Sequence, residues 1–262
     1  MILISAAIIF ALLVTIILPI LAGVWLNKRT NVSWRVITLG SLGYFIVQSL
    51  LTLLYNGFAS LAGIETTALT EGPNFVTQVM LSIFMAALLG VLLRWAGMKW
   101  IKMPLTNLEA AYGLGLGYGG IESIIRVGLP LLLAYFTMLQ NTNPQASGLD
   151  PETITQLEAL WQVSTWVPIA GALERVSALV MHVTITILVL QSFIRKNNLW
   201  LAAAVALEVL INFLIFGLTE VTLAYEWVIL MAILAMAGNL YLLYRLNALN
   251  LSKSPSLRDG LE

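Results

Sequence analysis

Residues 2–26 read ILISAAIIFALLVTIILPILAGVWL, an apolar run without a single charged side chain. A helix needs about 18–20 such residues to cross the hydrocarbon core of a bilayer, so this stretch predicts a membrane-spanning helix. It is too long for the apolar core of a signal peptide. Its positive charges, Lys28 and Arg29, also follow it instead of preceding it, which predicts a retained first span. The same reading extends along the chain to apolar runs at 34–55, 75–96, 108–139, 166–193, 199–218 and 227–246. The expected fold class is therefore all-α, a polytopic transmembrane helix bundle of about seven spans. Composition agrees: of 262 residues 60% are hydrophobic and 10% charged, with mean hydropathy +0.92. A soluble domain carries about 25% charged residues because its surface must face water.

Charge in the connectors sorts by side. Lys28, Arg29 and Arg35 flank the first connector; Arg94, Lys99 and Lys102 mark the third; Arg195 and Lys196 mark the fifth; Arg245, Lys253 and Arg258 lie at or in the tail. The intervening connectors are acidic: Glu65 and Glu71, then Asp150, Glu152 and Glu158, then Glu220 and Glu226. With seven spans every basic connector falls on one side. The positive-inside rule makes that side the cytoplasm, so the N-terminus is expected outside and the C-terminus inside. Trp34, Trp100, Trp166, Trp200 and Trp227 sit at span ends, where amphipathic rings prefer the interface. Residues 1–247 form one expected transmembrane domain and 248–262 a polar, disordered cytoplasmic tail. Connector 56–74 is weakly polar and long enough to re-enter the membrane in part. In connector 140–164, Ile154, Leu157, Leu160 and Trp161 space a short amphipathic helix over 152–162, lying on the outer surface. The expected setting is the cell membrane, as a multi-pass protein. Zero net charge gives no electrostatic support for a nucleic-acid partner. The absence of cysteine removes disulfides, thiolate metal sites and cysteine nucleophiles.

A few ionisable residues remain inside spans: Glu122 and Arg126 in the fourth, Glu174, Arg175 and His182 in the fifth, and Glu208 in the sixth. Each costs at least about 2.5 kcal/mol at the bilayer centre unless paired or hydrated, and such residues usually face the bundle interior at a pathway or site. Glu122 and Glu208 lie near the middle of their spans, and Glu174 and His182 straddle the middle of theirs. At about 100° per residue, Glu174, Ala178, His182 and Arg175 fall within roughly one 100° face. Glu122 and Arg126, and likewise Glu208 and Asn212, are four residues apart and so share a face. The fourth span also carries Gly113, Gly115, Gly117, Gly119 and Gly120. These GxxxG steps let another helix approach closely, and such a stretch can also loosen a helix beside a cavity.

There is no HExxH and only one histidine, so a metal site would have to use Glu122, His182 and Glu208, a set short of good zinc ligands. No cofactor is predicted. No GxSxG occurs, no pair of mid-membrane aspartates is present, and the seventh span has no lysine for a Schiff base. Carboxylate-plus-imidazole activation of water fits these residues, with an arginine or asparagine stabilising an oxyanion.

The stretches Gly-Tyr-Gly-Gly-Ile-Glu-Ser-Ile (117–124) and Glu-Arg-Val-Ser-Ala-Leu-Val-Met-His (174–182) resemble the YhfC family of bacterial membrane proteins. That family is described as intramembrane proteases and is distantly grouped with the CAAX-prenyl protease and bacteriocin-processing clan. The resemblance implies an intramembrane endopeptidase acting on a peptide or membrane-protein substrate, in a family labelled both metal-dependent and glutamic; the single histidine of this chain favours the metal-free, glutamic type. Glu122 would activate water and His182 would position it. Asn212 and Glu208 would come from a later helix. Arg126, Glu174, Arg175, Tyr118, Gly119 and Gly120 would support them. Two positions depart from the family pattern. Tyr118 stands where a histidine often precedes the paired glycines, and Glu208 stands for the histidine of a His-x-x-x-Asn/Asp motif. Two other readings of the same residues are an ion- or proton-coupled transporter or channel and a catalytically inactive relative of the proteases.

Overall fold

The computed structural model describes residues 1–30, 32–62, 75–100, 107–142, 151–217 and 224–249. These form α1 (Ile2–Thr30), α2 (Trp34–Ala62), α3 (Phe75–Trp100), α4 (Leu108–Gln140), α5 (Pro151–Gln162), α6 (Trp166–Ile194), α7 (Leu199–Asn212, continued by a wider turn Phe213–Gly217) and α8 (Tyr225–Arg245). Glu65, Glu71, Lys102, Asp150, Glu220, Lys253, Arg258 and the tail from 250 onward lie outside the described residues. So do most of the residues expected to re-enter the membrane.

Among the described residues six helices are long and apolar enough to cross a bilayer: α1, the Trp34–Leu54 part of α2, the Val79–Lys99 part of α3, α4, α6 and α8. The seventh apolar helix, Leu199–Ile215, is shorter. At 1.5 Å per residue it reaches about 25 Å. The short helix expected over 152–162 is present as α5. Its Leu157 is buried, and Trp161 packs with Ile4 and Ile8 of α1 and Met138 of α4.

The centre of the bundle is α6. In its spanning window 83% of residues are buried, against 17–33% in the other spans. It is wrapped by α1, α3, α4, α7 and α8. A helix apolar on every side is expected to be buried on every side, and α6 is mostly apolar all round, its ionisable residues being Glu174, Arg175 and His182. Those three are thereby screened from lipid.

The glycines of α4 explain how helices meet there. A Cβ on Gly117 would lie 1.9 Å from the Ile37 carbonyl oxygen of α2, and one on Gly115 would lie 2.7 Å from Val183 Cα of α6. From the α2 side, a Cβ on Gly40 would lie 2.1 Å from the Leu114 oxygen. The backbones are in direct contact, as small-residue steps permit. Through this stretch α4 stays helical and is not loosened. The irregularity comes just after it, in a wide turn at Ile124–Gly128 where Leu129 N–H donates to the Ile124 carbonyl. A matching wide turn occupies Leu13–Ile17 of α1. Both turns run up to a proline, Pro130 and Pro19, which has no N–H for the carbonyl four residues back. For Pro19 that carbonyl belongs to Thr15, and the Ser123 hydroxyl donates to it at 3.0 Å. This buried bond ties α1 to α4 one residue from Glu122.

Candidate functional site

Glu122, on α4, lies where α4 crosses α6. Its Oε2 is 2.7 Å from His182 Nε2. Its Oε1 accepts from Arg126 Nη1 at 3.1 Å and stands 3.6 Å from Arg175 Nη1. Arg175 folds back on its neighbour Glu174, with Nε and Nη2 on the two carboxylate oxygens. The close approach of His182 depends on Gly119, where a Cβ would lie 2.8 Å from the imidazole Cδ2. A Cβ on Gly120 would lie 3.1 Å from Pro19, so this glycine serves the contact with α1.

The other edge of the imidazole meets a residue that the connector pattern assigns elsewhere. Arg94 is not a flanking charge of the third connector. Helix α3 continues to Trp100, and Arg94 is buried with 3% exposure. Its Nη2 lies 2.9 Å from His182 Nδ1. Its Nη1 lies 3.5 Å from Glu208 Oε2, and its guanidinium carbon sits 3.9 Å from the centre of the Tyr118 ring. Tyr118 in turn lies beside His182, ring centres 5.0 Å apart, and receives Tyr44 edge-on at 5.6 Å. Space for this group comes from Gly90, one turn before Arg94. A Cβ there would meet Arg94 Nη1 at 3.0 Å and the Tyr118 hydroxyl at 3.4 Å.

Glu122, Glu174, Glu208, Arg126, Arg175, Tyr118, Gly119 and His182 thus occupy one connected cluster, to which α3 adds Arg94. Asn212 is half-buried and makes no hydrogen bond to this cluster. Three carboxylates face three guanidiniums. With a neutral imidazole the group carries no net charge, which is how so many ionised side chains are tolerated inside a bundle.

The network also fixes the imidazole. A guanidinium only donates, so Nδ1 facing Arg94 must accept and the ring proton sits on Nε2, facing Glu122. Access is uneven. The side chains of Glu208, His182, Arg94 and Arg175 are 2–4% exposed, whereas Glu122 is 11% and Arg126 47% exposed. Of the carboxylates in the cluster, Glu122 has the most open edge, beside a half-exposed arginine. Arg94 Nε and Nη1, His182 Nε2 and Glu208 Oε2 are buried without a well-aligned hydrogen-bond partner among the described residues, so the 2.7 Å approach of Nε2 to Glu122 is a close contact whose angle falls short of a hydrogen bond. A cavity of about 270 Å³ runs between α2, α3 and α4, past Leu42, Gly43 and Ile46 to Arg94 and Tyr118.

The sequence profile of a family described as "YhfC intramembrane metalloprotease" matches residues 14–235. This chain belongs to the YhfC family. The "Uncharacterized membrane protein YhfC" of Bacillus subtilis (strain 168) is 23% identical over 205 residues, covering 76% of this chain and 79% of that protein. No solved structure matches. Membership agrees with the all-helical, multi-pass architecture and makes the chain a member of a protease family of the membrane.

The family description implies a metal, and the residues present do not fit one. The chain has one histidine. Glu122 faces its Nε2, whereas Glu208 faces its Nδ1 at 4.0 Å, across the ring. One ion on one ring nitrogen does not meet both carboxylates, and Nδ1 is already opposed by a guanidinium. A catalytic zinc takes three protein ligands. Among the described residues no three His, Cys, Asp or Glu side chains converge in that way.

Proposed function

We propose that this YhfC-family protein is a glutamic-type intramembrane peptidase in which Glu122 is the general base. The reading rests most on one observation: the carboxylate with the most open edge in a buried, neutral cluster is held by the single imidazole at 2.7 Å. A water at the exposed edge of Glu122 gives its proton to the carboxylate as its oxygen bonds to the scissile carbonyl carbon. The resulting oxyanion lies within reach of Arg126. The C–N bond then breaks and Glu122 passes the proton to the leaving amine, so that one water yields one acid and one amine. His182 orients Glu122 from Nε2, which stands 2.7 Å from the carboxylate. Arg94 is a positioning residue that holds the imidazole in that tautomer, as an orienting carboxylate does in other acid–base sites with the opposite polarity.

A site buried among apolar membrane helices suits an apolar peptide segment as substrate; the cavity between α2, α3 and α4 reaches Arg94 and Tyr118, on the Nδ1 side of His182, and does not border Glu122. General-base assistance contributes about 10²–10⁴ in rate. Glu122→Gln should therefore lower the appearance of new peptide termini in membranes by at least about 100-fold, with insertion unchanged, when fragments are counted by mass spectrometry. Equal fragment yields from the two proteins would refute the assignment.

A further inference from the structure

At one end of the bundle α6 stops at Ile194, α7 begins at Leu199 and α8 stops at Arg245. Arg195 is thirteen residues past His182, about 20 Å along the helix axis. Between these helix ends lies a cavity of about 380 Å³ with Arg195, Trp200, Tyr241 and Arg245 on its walls. Leu188, Leu242 and Leu246 line it as well. Both arginines are exposed. Arg195 donates from Nε to Gln191 Oε1 at 2.9 Å and stacks over Trp200, 4.8 Å from the ring centre. Arg245 donates from Nη1 to the Tyr241 hydroxyl at 3.3 Å. These partners are neutral. Among the described residues neither arginine forms an ion pair with a carboxylate, in contrast to Arg94, Arg126 and Arg175 deeper in the bundle. Lys196 adds a third cation in the same turn.

We propose that this cavity binds the phosphate headgroup of an anionic phospholipid. Charge complementarity selects an anion, because two guanidiniums with free Nη donors border one cavity, and phosphate matches their forked geometry. The leucine wall selects a lipid over a free anion, because an acyl chain is the ligand part that would cover it. The position selects the membrane boundary, since helix ends and a tryptophan–tyrosine pair gather there. Basic cavities between transmembrane helices hold anionic headgroups in this way.

The test uses the full chain, purified in an uncharged maltoside detergent. It is titrated separately with dioctanoyl phosphatidylglycerol, dioctanoyl phosphatidylcholine and inorganic phosphate, with melting temperature and native mass spectrometry as readouts. Phosphatidylglycerol should raise the melting temperature saturably and be retained on the protein, whereas the other two should not. Removing one arginine is worth about 1 kcal/mol of headgroup attraction, a factor of about five. Arg195→Gln with Arg245→Gln should thus weaken phosphatidylglycerol about 30-fold. Leu246→Trp, which leaves both charges and fills the apolar wall, should weaken it too and covers the case in which the double variant fails to fold. Equal effects of the two lipids would overturn the proposal, as would inorganic phosphate matching phosphatidylglycerol or unchanged affinity in these variants.

Discussion

Replacing Arg94 by methionine removes a guanidinium but keeps an unbranched chain of similar reach. In the structure Arg94 is the cation opposite Glu208 at 3.5 Å, the donor to His182 Nδ1 at 2.9 Å and the cation over Tyr118 at 3.9 Å. Stranding the buried Glu208 carboxylate costs about 3–5 kcal/mol, a large share of a total stability of about 5–15 kcal/mol. Glu208→Met strands Arg94 at a similar cost. In the double variant no charge is stranded. What remains is the lost hydrogen bond to Nδ1, about 1 kcal/mol, and the lost cation–π contact, also about 1 kcal/mol. The two single changes should therefore be strongly non-additive, with a coupling of at least about 3 kcal/mol. Equilibrium unfolding of the four proteins in bicelles measures it. The chain's single histidine adds a second readout. With ¹⁵N-labelled histidine, the wild-type ring should show a protonated Nε2 and an acceptor Nδ1, and the double variant should lose that fixed tautomer even though its stability returns. Additive single effects, within about 0.5 kcal/mol, or an Nδ1-protonated ring in the wild type, would refute the reasoning.

Other expectations follow from the same contacts. Gly119→Ala places a Cβ 2.8 Å from His182 Cδ2 and must shift the ring by several tenths of an ångström; cleavage should fall by about 100-fold, while Gly171→Ala, which meets nothing within 4 Å, should leave cleavage intact and melting unchanged or higher. Ser123→Ala removes the bond to the Thr15 carbonyl and should lower stability by about 1–2 kcal/mol in the same unfolding assay. Cleavage should survive treatment with strong chelators, because the residues around His182 do not fit a metal; inactivation by chelator with recovery on added zinc would contradict the glutamic mechanism. If the cluster instead relayed ions, proteoliposomes would show flux that Glu208→Gln abolishes, and none is expected.

Much of the architecture is legible in the sequence because lipid imposes run length directly. Each apolar run becomes a helix, and the glycines of the fourth run become the places where α2 and α6 touch α4. The gathering of Glu122, Glu174, His182 and Glu208 is also legible, since mid-span charges have few places to go but the bundle interior. Arg94 is not. With Lys99 and Lys102 nearby it fits the pattern of a basic connector, and only the continuation of α3 to Trp100 puts it a turn and a half inside. Gly90, four residues earlier, is the signal that could have found it, since a missing side chain beside an arginine leaves room for a buried partner. Asn212 shares a helix with Glu208, but a common face on one helix does not settle which neighbour it meets. The wide turns are marked only by Pro19 and Pro130, whose missing N–H groups do not say whether a helix kinks, breaks or widens.

The most direct measurement is a comparison of new peptide termini formed in membranes that hold equal amounts of the wild-type protein or Glu122→Gln, carried out in ¹⁸O-enriched water. Wild-type membranes should yield C-termini carrying one ¹⁸O atom, and Glu122→Gln membranes should yield at least about 100-fold fewer. Labelled termini in equal number from both would contradict Glu122 as the base that drives water onto the peptide bond.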